Sequence, residues 1–196
     1  ADAAAAVMTG AKGGVQPTLT QLEKLGITGV TPGNLMAILT AIAATADDGS
    51  QLDTMGKLQG LTSQAAADAA AAINAINSGG NTSPDDYTKA GVSGVTGNSQ
   101  SAIEDALSGL AGGGTLTAAQ IQAVVDAYNA VLAAAIGTGS GGATPPTPPT
   151  AAQYAAIGVT GADKTPGGLA LLGSAVTAQS SGSVDSVAEL QNLTNA

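Results

Sequence analysis

Residues 58–80 have the sequence LQGLTSQAAADAAAAINAINSGG, and a second copy of this stretch is divided between the two ends of the chain. Its first part matches LQNLTNA at 190–196, and its second part matches ADAAAAVMTGAKGG at 1–14. Alanine is the strongest helix former, so the stretch predicts a long helix from Asp53 to about Asn77. The last helix is therefore expected to lack a portion that residues 1–12 could supply.

The stretch belongs to a repeat of about 65 residues that occurs three times in the sequence. Its first landmark is the motif LGITGV at 25–30, which returns as AGVSGV at 90–95 and IGVTGA at 157–162. A second landmark lies at a nearly constant distance from the first. An apolar residue follows the first glycine of the motif by 26, 25 and 26 residues, at Leu52, Leu116 and Val184. Because the spacing between the two landmarks is nearly the same in all three copies, the sequence predicts a tandem array.

Each repeat is predicted to begin with a short helix of about two turns. Eight residues before the first glycine stands a hydroxyl residue, followed three positions later by Gln or Asp, a spacing typical of a capping box. These pairs are Thr18 with Gln21, Ser83 with Asp86, and Thr150 with Gln153. We expect Gly26, Gly91 and Gly158 to take left-handed conformations that end the helices.

Two further helices are predicted in each repeat. The second should open at Thr31–Pro32, at Thr96 and at Thr165–Pro166, because proline is tolerated at the first helical position. The third should begin near Asp53, Thr117 and Asp185, and Thr117 with Gln120 has the spacing of a capping box. In the last repeat this third helix has room for only about three turns.

The expected fold is all-α, with three tandem small three-helix repeats, the last one completed by the N-terminal helix of a neighbouring subunit. The segments are an N-terminal donor helix and linker at 1–16, repeat 1 at 17–80, repeat 2 at 81–136, a Gly/Ser and Pro-rich linker at 137–149, and an incomplete repeat 3 at 150–196.

Composition limits the classes of function. Aromatic residues make up 2% of the chain, which favours small stacked modules over one large core. The net charge is −9 and the five lysines are scattered, so we expect no nucleic-acid partner and no anionic membrane surface. No stretch predicts a transmembrane segment. The chain begins at Ala1 rather than Met, which favours signal-peptide removal or excision from a longer chain, and hence export.

No constellation in the sequence predicts chemistry. Residues 47–53, DDGSQLD, have the oxygen density of a calcium loop but not the EF-hand spacing, so we predict loop solvation and helix capping there. The adjacent pairs Asp85–Asp86 and Glu104–Asp105 diverge on a helix and do not converge on a bond. No histidine is present to activate a serine. We therefore predict no catalytic residue, cofactor or metal, and we expect Tyr87 and Tyr154 to pack in the core with their hydroxyls at its edge.

Three segments resemble the short three-helix repeats that occur in tandem in giant secreted bacterial surface proteins of the adhesin or biofilm-associated kind. They are PTAAQYAAIGVTGA at 149–162, LTAAQIQAVVDAYNAVLA at 116–133 and SVDSVAELQNL at 183–193. The resemblance implies an extracellular or cell-surface location and an extending or adhesive role. It implies no chemistry, and it leaves any cell-surface or matrix ligand unknown.

The divided helix leads to a functional hypothesis. We expect an extracellular structural protein, the subunit of a head-to-tail homopolymer in which the N-terminal helix inserts into the open end of the next subunit. The expected interface residues are Ala3, Ala6, Val7, Leu169, Leu172, Val187, Leu190 and Leu193. The alternative is a spacer or stalk period of a giant tandem-repeat adhesin, in which the same completion occurs within one chain.

Overall fold

The structure is a computed structural model that describes residues 3–45, 49–80, 82–135, 147–162 and 167–196. These residues form an all-α fold, as the sequence predicts. None of the described helices combines the length and apolarity that a membrane span requires. The helices are α1 (Ala3–Ala11), α2 (Leu19–Lys24), α3 (Leu35–Ala43), α4 (Met55–Asn77), α5 (Pro84–Lys89), α6 (Gln100–Ala111), α7 (Ala118–Ala134), α8 (Ala151–Ala156), α9 (Gly168–Thr177) and α10 (Val187–Asn195), with a short 3-10 helix at Ser181–Ser183.

The helices form two compact units, Ala1–Ser93 and Gly94–Ala196, here called unit 1 and unit 2. Unit 1 contains α1 to α5, and unit 2 contains α6 to α10. The division falls inside predicted repeat 2, because α5 packs against α4 and α3, which precede it in the chain. The compact units are therefore offset by one short helix from the segments that the sequence periodicity defines.

The short helices α2, α5 and α8 begin at the predicted capping boxes. At α2, the Gln21 backbone N–H donates to Thr18 Oγ1 over 3.3 Å, and the Thr18 N–H donates to Gln21 Oε1 over 2.8 Å. Such a cap contributes about 1 kcal/mol. The three helices end as predicted, with positive φ at glycines 26, 91 and 158.

The second helices begin later than predicted. α3 starts at Leu35 and not at Thr31–Pro32, because Thr31 and Asn34 form a polar turn ahead of it. The Thr31 N–H donates to Asn34 Oδ1 over 2.7 Å, and the Asn34 side chain donates to the Gly29 carbonyl over 2.9 Å. α6 likewise starts at Gln100, after a turn that joins positions 96 and 99. The predicted start at 165–166 lies outside the described residues.

The N-caps of the third helices lie within one residue of the predicted starts. They are Thr54, Thr117 and Ser186, and the predicted capping box of Thr117 with Gln120 is present. Ser186 forms a second box with Glu189 that the sequence analysis missed. α4 runs to Asn77, which confirms the predicted extent of the long helix.

The core of unit 1 is a layer of aliphatic side chains shared by α1 to α4. Leu22, Ile38 and Ile42 are fully buried at its centre. Val7 of α1 is 2% exposed and belongs to the same cluster, because α1 packs on α2 and α3. The N-terminal helix is therefore part of the core of its own unit.

Two tyrosines, Tyr128 and Tyr154, are among the largest fully buried side chains of unit 2. The Tyr128 hydroxyl donates to the Val184 carbonyl over 3.2 Å and so ties α7 to the turn before α10. Tyr154 of α8 is 0% exposed, and its hydroxyl has no hydrogen-bond partner among the described residues. Its hydroxyl is thus buried and not at the core edge, contrary to the prediction, and burial raises the pKa of Tyr154 to about 12.

Replacing Tyr154 with Phe is expected to stabilise the protein by about 1 kcal/mol, because the substitution removes a buried hydroxyl that lacks a partner. The melting temperature should rise by about 2–4 °C for a chain of this size. Tyr128→Phe is the matched control: it deletes a bonded hydroxyl and should lower the melting temperature by a similar amount. Thermal denaturation followed by circular dichroism measures both, and a destabilised Y154F protein would contradict the assignment.

Candidate functional site

Three of the adjacent carboxylates that the sequence singles out, Asp86, Glu104 and Asp105, have structural partners. Asp105 Oδ2 accepts the Val187 backbone N–H over 2.8 Å and thereby caps the start of α10. Glu104 accepts from the Gln100 side chain over 2.9 Å. Asp86 belongs to the capping box of α5, and its hydrogen bonds to the side chain and backbone of Ser83 lower the pKa of its carboxyl.

The candidate calcium loop is described only in part. Asp47 and Asp48 lie outside the described residues, and Asp53 pairs with Lys57 over 2.8 Å on the surface. Within the described ranges, no three His, Cys, Asp or Glu side chains cluster closely enough to hold a metal ion.

The N-terminal residues predicted for the interface lie in unit 1. Val7 is buried against the core of its own unit, and Ala3 and Ala6 are half-buried. The predicted donor helix is therefore not free in the monomer, since α2 and α3 of its own unit already cover the apolar face of α1. Sequence reasoning missed this packing because periodicity identifies an apolar face without identifying what covers it.

The C-terminal residues predicted for the interface lie in unit 2 and divide into two groups. Leu172 and Leu193 line a groove between α9 and α10. Leu190 is fully buried, and Leu169 and Val187 are half-buried outside the lining of that groove. The structure therefore brings together two of the five predicted C-terminal residues.

The groove between α9 and α10 has a volume of about 420 Å³ and opens to solvent. Leu171 is one of its lining residues and is 73% exposed. Among the described residues, the remaining lining is small or apolar, with Thr194 as its one hydroxyl side chain and no charged side chain: Gly161, Ala162, Gly168, Leu172, Ala175, Leu193, Thr194 and Ala196. We call this surface, with Leu171 at its rim, the C-terminal groove.

The α3–α4 pair of unit 1 and the α9–α10 pair of unit 2 contain the same two hydrogen bonds between a glutamine side chain and the backbone of a threonine. In unit 1, the Gln59 side chain accepts the Thr28 N–H over 2.9 Å and donates to the Thr28 carbonyl over 3.1 Å. In unit 2, Gln191 does the same at Thr160, over 2.9 and 3.0 Å. The second helices align two residues further on, because TPG at 31–33 returns at 165–167, so Leu35 matches Leu169 and Ala37 matches Leu171. The buried residues agree with this alignment, since Ile38 and Ile42 match Leu172 and Val176.

The matching face of unit 1 is covered. Helix α5 packs on α3 and α4, and Ala37 is only 5% exposed where its counterpart Leu171 is 73% exposed. At the end of α5, the backbone of Gly91 lies so close that an ideal Cβ there would be 2.8 Å from the Ala37 nitrogen. One short helix and its glycine turn thus cover this face in unit 1 down to a pocket of about 140 Å³, whereas in unit 2 a groove of about 420 Å³ stays open.

Sequence reasoning missed Leu171, although a signal for it was present. Leu171 lies beside the predicted apolar stripe of Leu169 and Leu172, at the position that alanine occupies in α3. An apolar residue that is large and also off the buried stripe needs a second partner surface to be covered. Position-by-position comparison of the repeats would have identified it.

Comparison with protein-family models, with curated proteins and with solved structures gave no match to this chain.

Proposed function

We propose that this protein is an extracellular structural protein that assembles head to tail, with the C-terminal groove of one copy receiving the N-terminal part of the next. The observation that carries the proposal is the difference between two equivalent faces: α5 covers the α3–α4 face of unit 1, and no described segment covers the α9–α10 face of unit 2. A second copy offers α1 and α2 for this face. In sequence, α1 matches the end of α4, and α2 matches α5.

Exposed leucine supplies the driving force for such a contact. Burying a leucine side chain stabilises a contact by about 1.5–3 kcal/mol, and Leu171 keeps most of its surface in solvent. Among the described residues, no charged side chain whose desolvation would oppose docking lines the groove. The groove is therefore suited to an apolar helical partner.

The geometry of the contact favours a chain of subunits. The groove is on unit 2 and the matching segment is on unit 1, so two different surfaces of the molecule meet. A contact of this heterologous kind leaves one surface free at each end and extends into a filament when the rotation does not close a ring. All-α architecture without a chemical site among the described residues is compatible with this role.

The test is a charge placed in the groove. Leu171→Asp should abolish assembly of the purified protein, because a carboxylate would be desolvated on docking. Light scattering after size exclusion and negative-stain micrographs across a concentration series measure the assembly. Met55→Asp is the control, since Met55 is also an exposed apolar residue but lies outside the groove.

Both variants should fold as the parent does, since surface substitutions usually change stability by no more than about 0.5 kcal/mol. A parent protein that stays monomeric at high concentration would refute the proposal. So would filaments formed by Leu171→Asp as readily as by the parent.

A spacer or stalk period of a longer cell-surface adhesin is the second candidate function. The contact of α5 with α3 and α4 favours it, because adjoining segments of one chain already cover this face in unit 1. A denaturing gel of native material separates the two: a subunit runs near the 18.5 kDa of this sequence, and a period belongs to a much larger band. A cell-surface ligand would be sought by pull-down.

A further inference from the structure

Resting on the proposed head-to-tail assembly, we infer that the second copy docks with its own α1 still packed in unit 1. The second copy contributes the intact corner formed by α1, α2 and the turn at Gly26, and this turn seats against α9 beside Leu171. The N-terminal helix is thus a fixed part of the docking surface and is not exchanged between subunits.

The contact at Gly91 is the intramolecular model for this seat. Gly91 has a φ of +78°, and an ideal Cβ on it would lie 2.8 Å from the Ala37 nitrogen and 3.2 Å from Met36 Cβ. Only glycine permits this approach of the turn to the backbone of α3. The end of α8 also lies beside the second helix of the preceding predicted repeat, because a Cβ on Gly158 would be 3.8 Å from Leu110 of α6.

The turn at Gly26 has the same conformation but no such contact. Its φ is +80°, and an ideal Cβ there would meet none of the described heavy atoms within 4 Å beyond its chain neighbours. Leu25 beside it is half-buried, where its counterpart Ala90 is 1% exposed. Within the molecule, Gly91 contacts α3. The equivalent turn at Gly26 and the equivalent helix surface at Leu171 both lack such a contact.

The packing of α1 opposes its release. Removing α1 would expose Val7 and Ala11 and uncover the side chains of α2 and α3 that now cover them. If α1 were exchanged between subunits, it would have to leave unit 1 before it could bind the next copy. The rate of assembly would then be limited by this opening of the monomer. Docking of the intact corner loses none of them and leaves the core of unit 1 unchanged.

The inference predicts the effect of one methyl group. Gly26→Ala should weaken assembly at least tenfold, because the added Cβ would meet the backbone of α9 in the next copy as a Cβ on Gly91 would meet α3. Gly79→Ala is the matched control: Gly79 has a φ of +62° and open space around it, so it shares the backbone cost but lies outside the proposed seat. Assembly constants from light scattering should be unchanged within about twofold in the control.

Mixing the two interface variants tests the pairing directly. Leu171→Asp retains the docking corner and Gly26→Ala retains the groove, so an equimolar mixture should form a heterodimer at concentrations where neither variant associates alone. The rate of assembly of the parent should rise with protein concentration. A rate independent of concentration would instead show that opening of α1 limits assembly, and would overturn the inference.

The outcomes separate this inference from the proposed function. If Leu171→Asp prevents assembly while Gly26→Ala behaves as Gly79→Ala does, the groove is used but the seat at Gly26 is wrong. If Leu171→Asp assembles normally, or the parent never assembles, both proposals fail.

Discussion

Replacing Val7 with Asp is expected to unfold unit 1 or to destabilise it by about 4 kcal/mol or more, because the substitution places a carboxylate in an apolar core without a partner. Val7 is 2% exposed and packs in the cluster that includes Leu22 and Ile38. Amide hydrogen exchange measures the result, and the protection of α3 and α4 should fall while that of α6 and α7 is retained.

The control for Val7→Asp lies on the same helix. Ala5 is exposed, so Ala5→Asp places the same charge on the solvent face of α1 and should change the free energy of unfolding by no more than about 0.5 kcal/mol. Undiminished protection of α3 in Val7→Asp would show that α1 does not pack on unit 1 in solution.

The second large effect is expected at Gly91. Gly91→Ala should destabilise the protein by about 3 kcal/mol, which sums about 1–2 kcal/mol for a left-handed non-glycine residue and a further cost of overpacking against α3. The clash is with the backbone nitrogen of Ala37, which cannot rotate away as a flexible side chain can. Denaturant unfolding monitored by circular dichroism measures the change.

Gly26→Ala is the matched comparison for this measurement. It carries the left-handed cost alone and should lower the stability of the monomer by only about 1–2 kcal/mol. Equal losses at the two glycines would show that α5 does not approach α3 as closely as the structure places it. The stability of the two variants thus tests the contact of Gly91 with α3 within the molecule. Their assembly tests the proposed contact of Gly26 with α9 of the next copy.

The packing of α1 changes how a deletion experiment should be interpreted. Removing residues 1–12 deletes Val7 and Ala11 from the core of unit 1, so loss of filaments in that deletion would follow from unfolding as well as from a lost donor helix. Substitution in the C-terminal groove avoids this ambiguity, because Leu171 is exposed and contributes little to the stability of unit 2.

Local elements of the fold were predictable from the sequence. The capping boxes at Thr18, Ser83, Thr117 and Thr150 and the extent of α4 depend on hydrogen bonds within four residues, and all were predicted where they occur. The late start of α3 was missed, because residues 31–34 form a separate turn, closed by the Leu35 N–H to the Thr31 carbonyl, before the regular helix begins at Leu35. The buried hydroxyl of Tyr154 was missed because burial of α8 depends on its packing against another helix, α7.

The candidate site was predictable only in part. Periodicity placed Leu172 and Leu193 on apolar faces, and both line the C-terminal groove. It gave equal weight to Leu190, which the core of unit 2 covers completely, and it omitted Leu171, which remains open. Whether an apolar side chain is core or surface depends on which helix covers it, and that helix can lie far away in sequence.

By itself the sequence determined the all-α class, four capping boxes, the left-handed glycine ends of the short helices and the absence of histidine and cysteine, because each of these depends on residue type or on near neighbours. Only the tertiary structure decided that α1 belongs to the core of unit 1, that α5 closes the α3–α4 face, and that the equivalent face at Leu171 stays open. The reason is physical: hydrogen bonds within a turn are local, whereas burial of an apolar face depends on which other surface covers it.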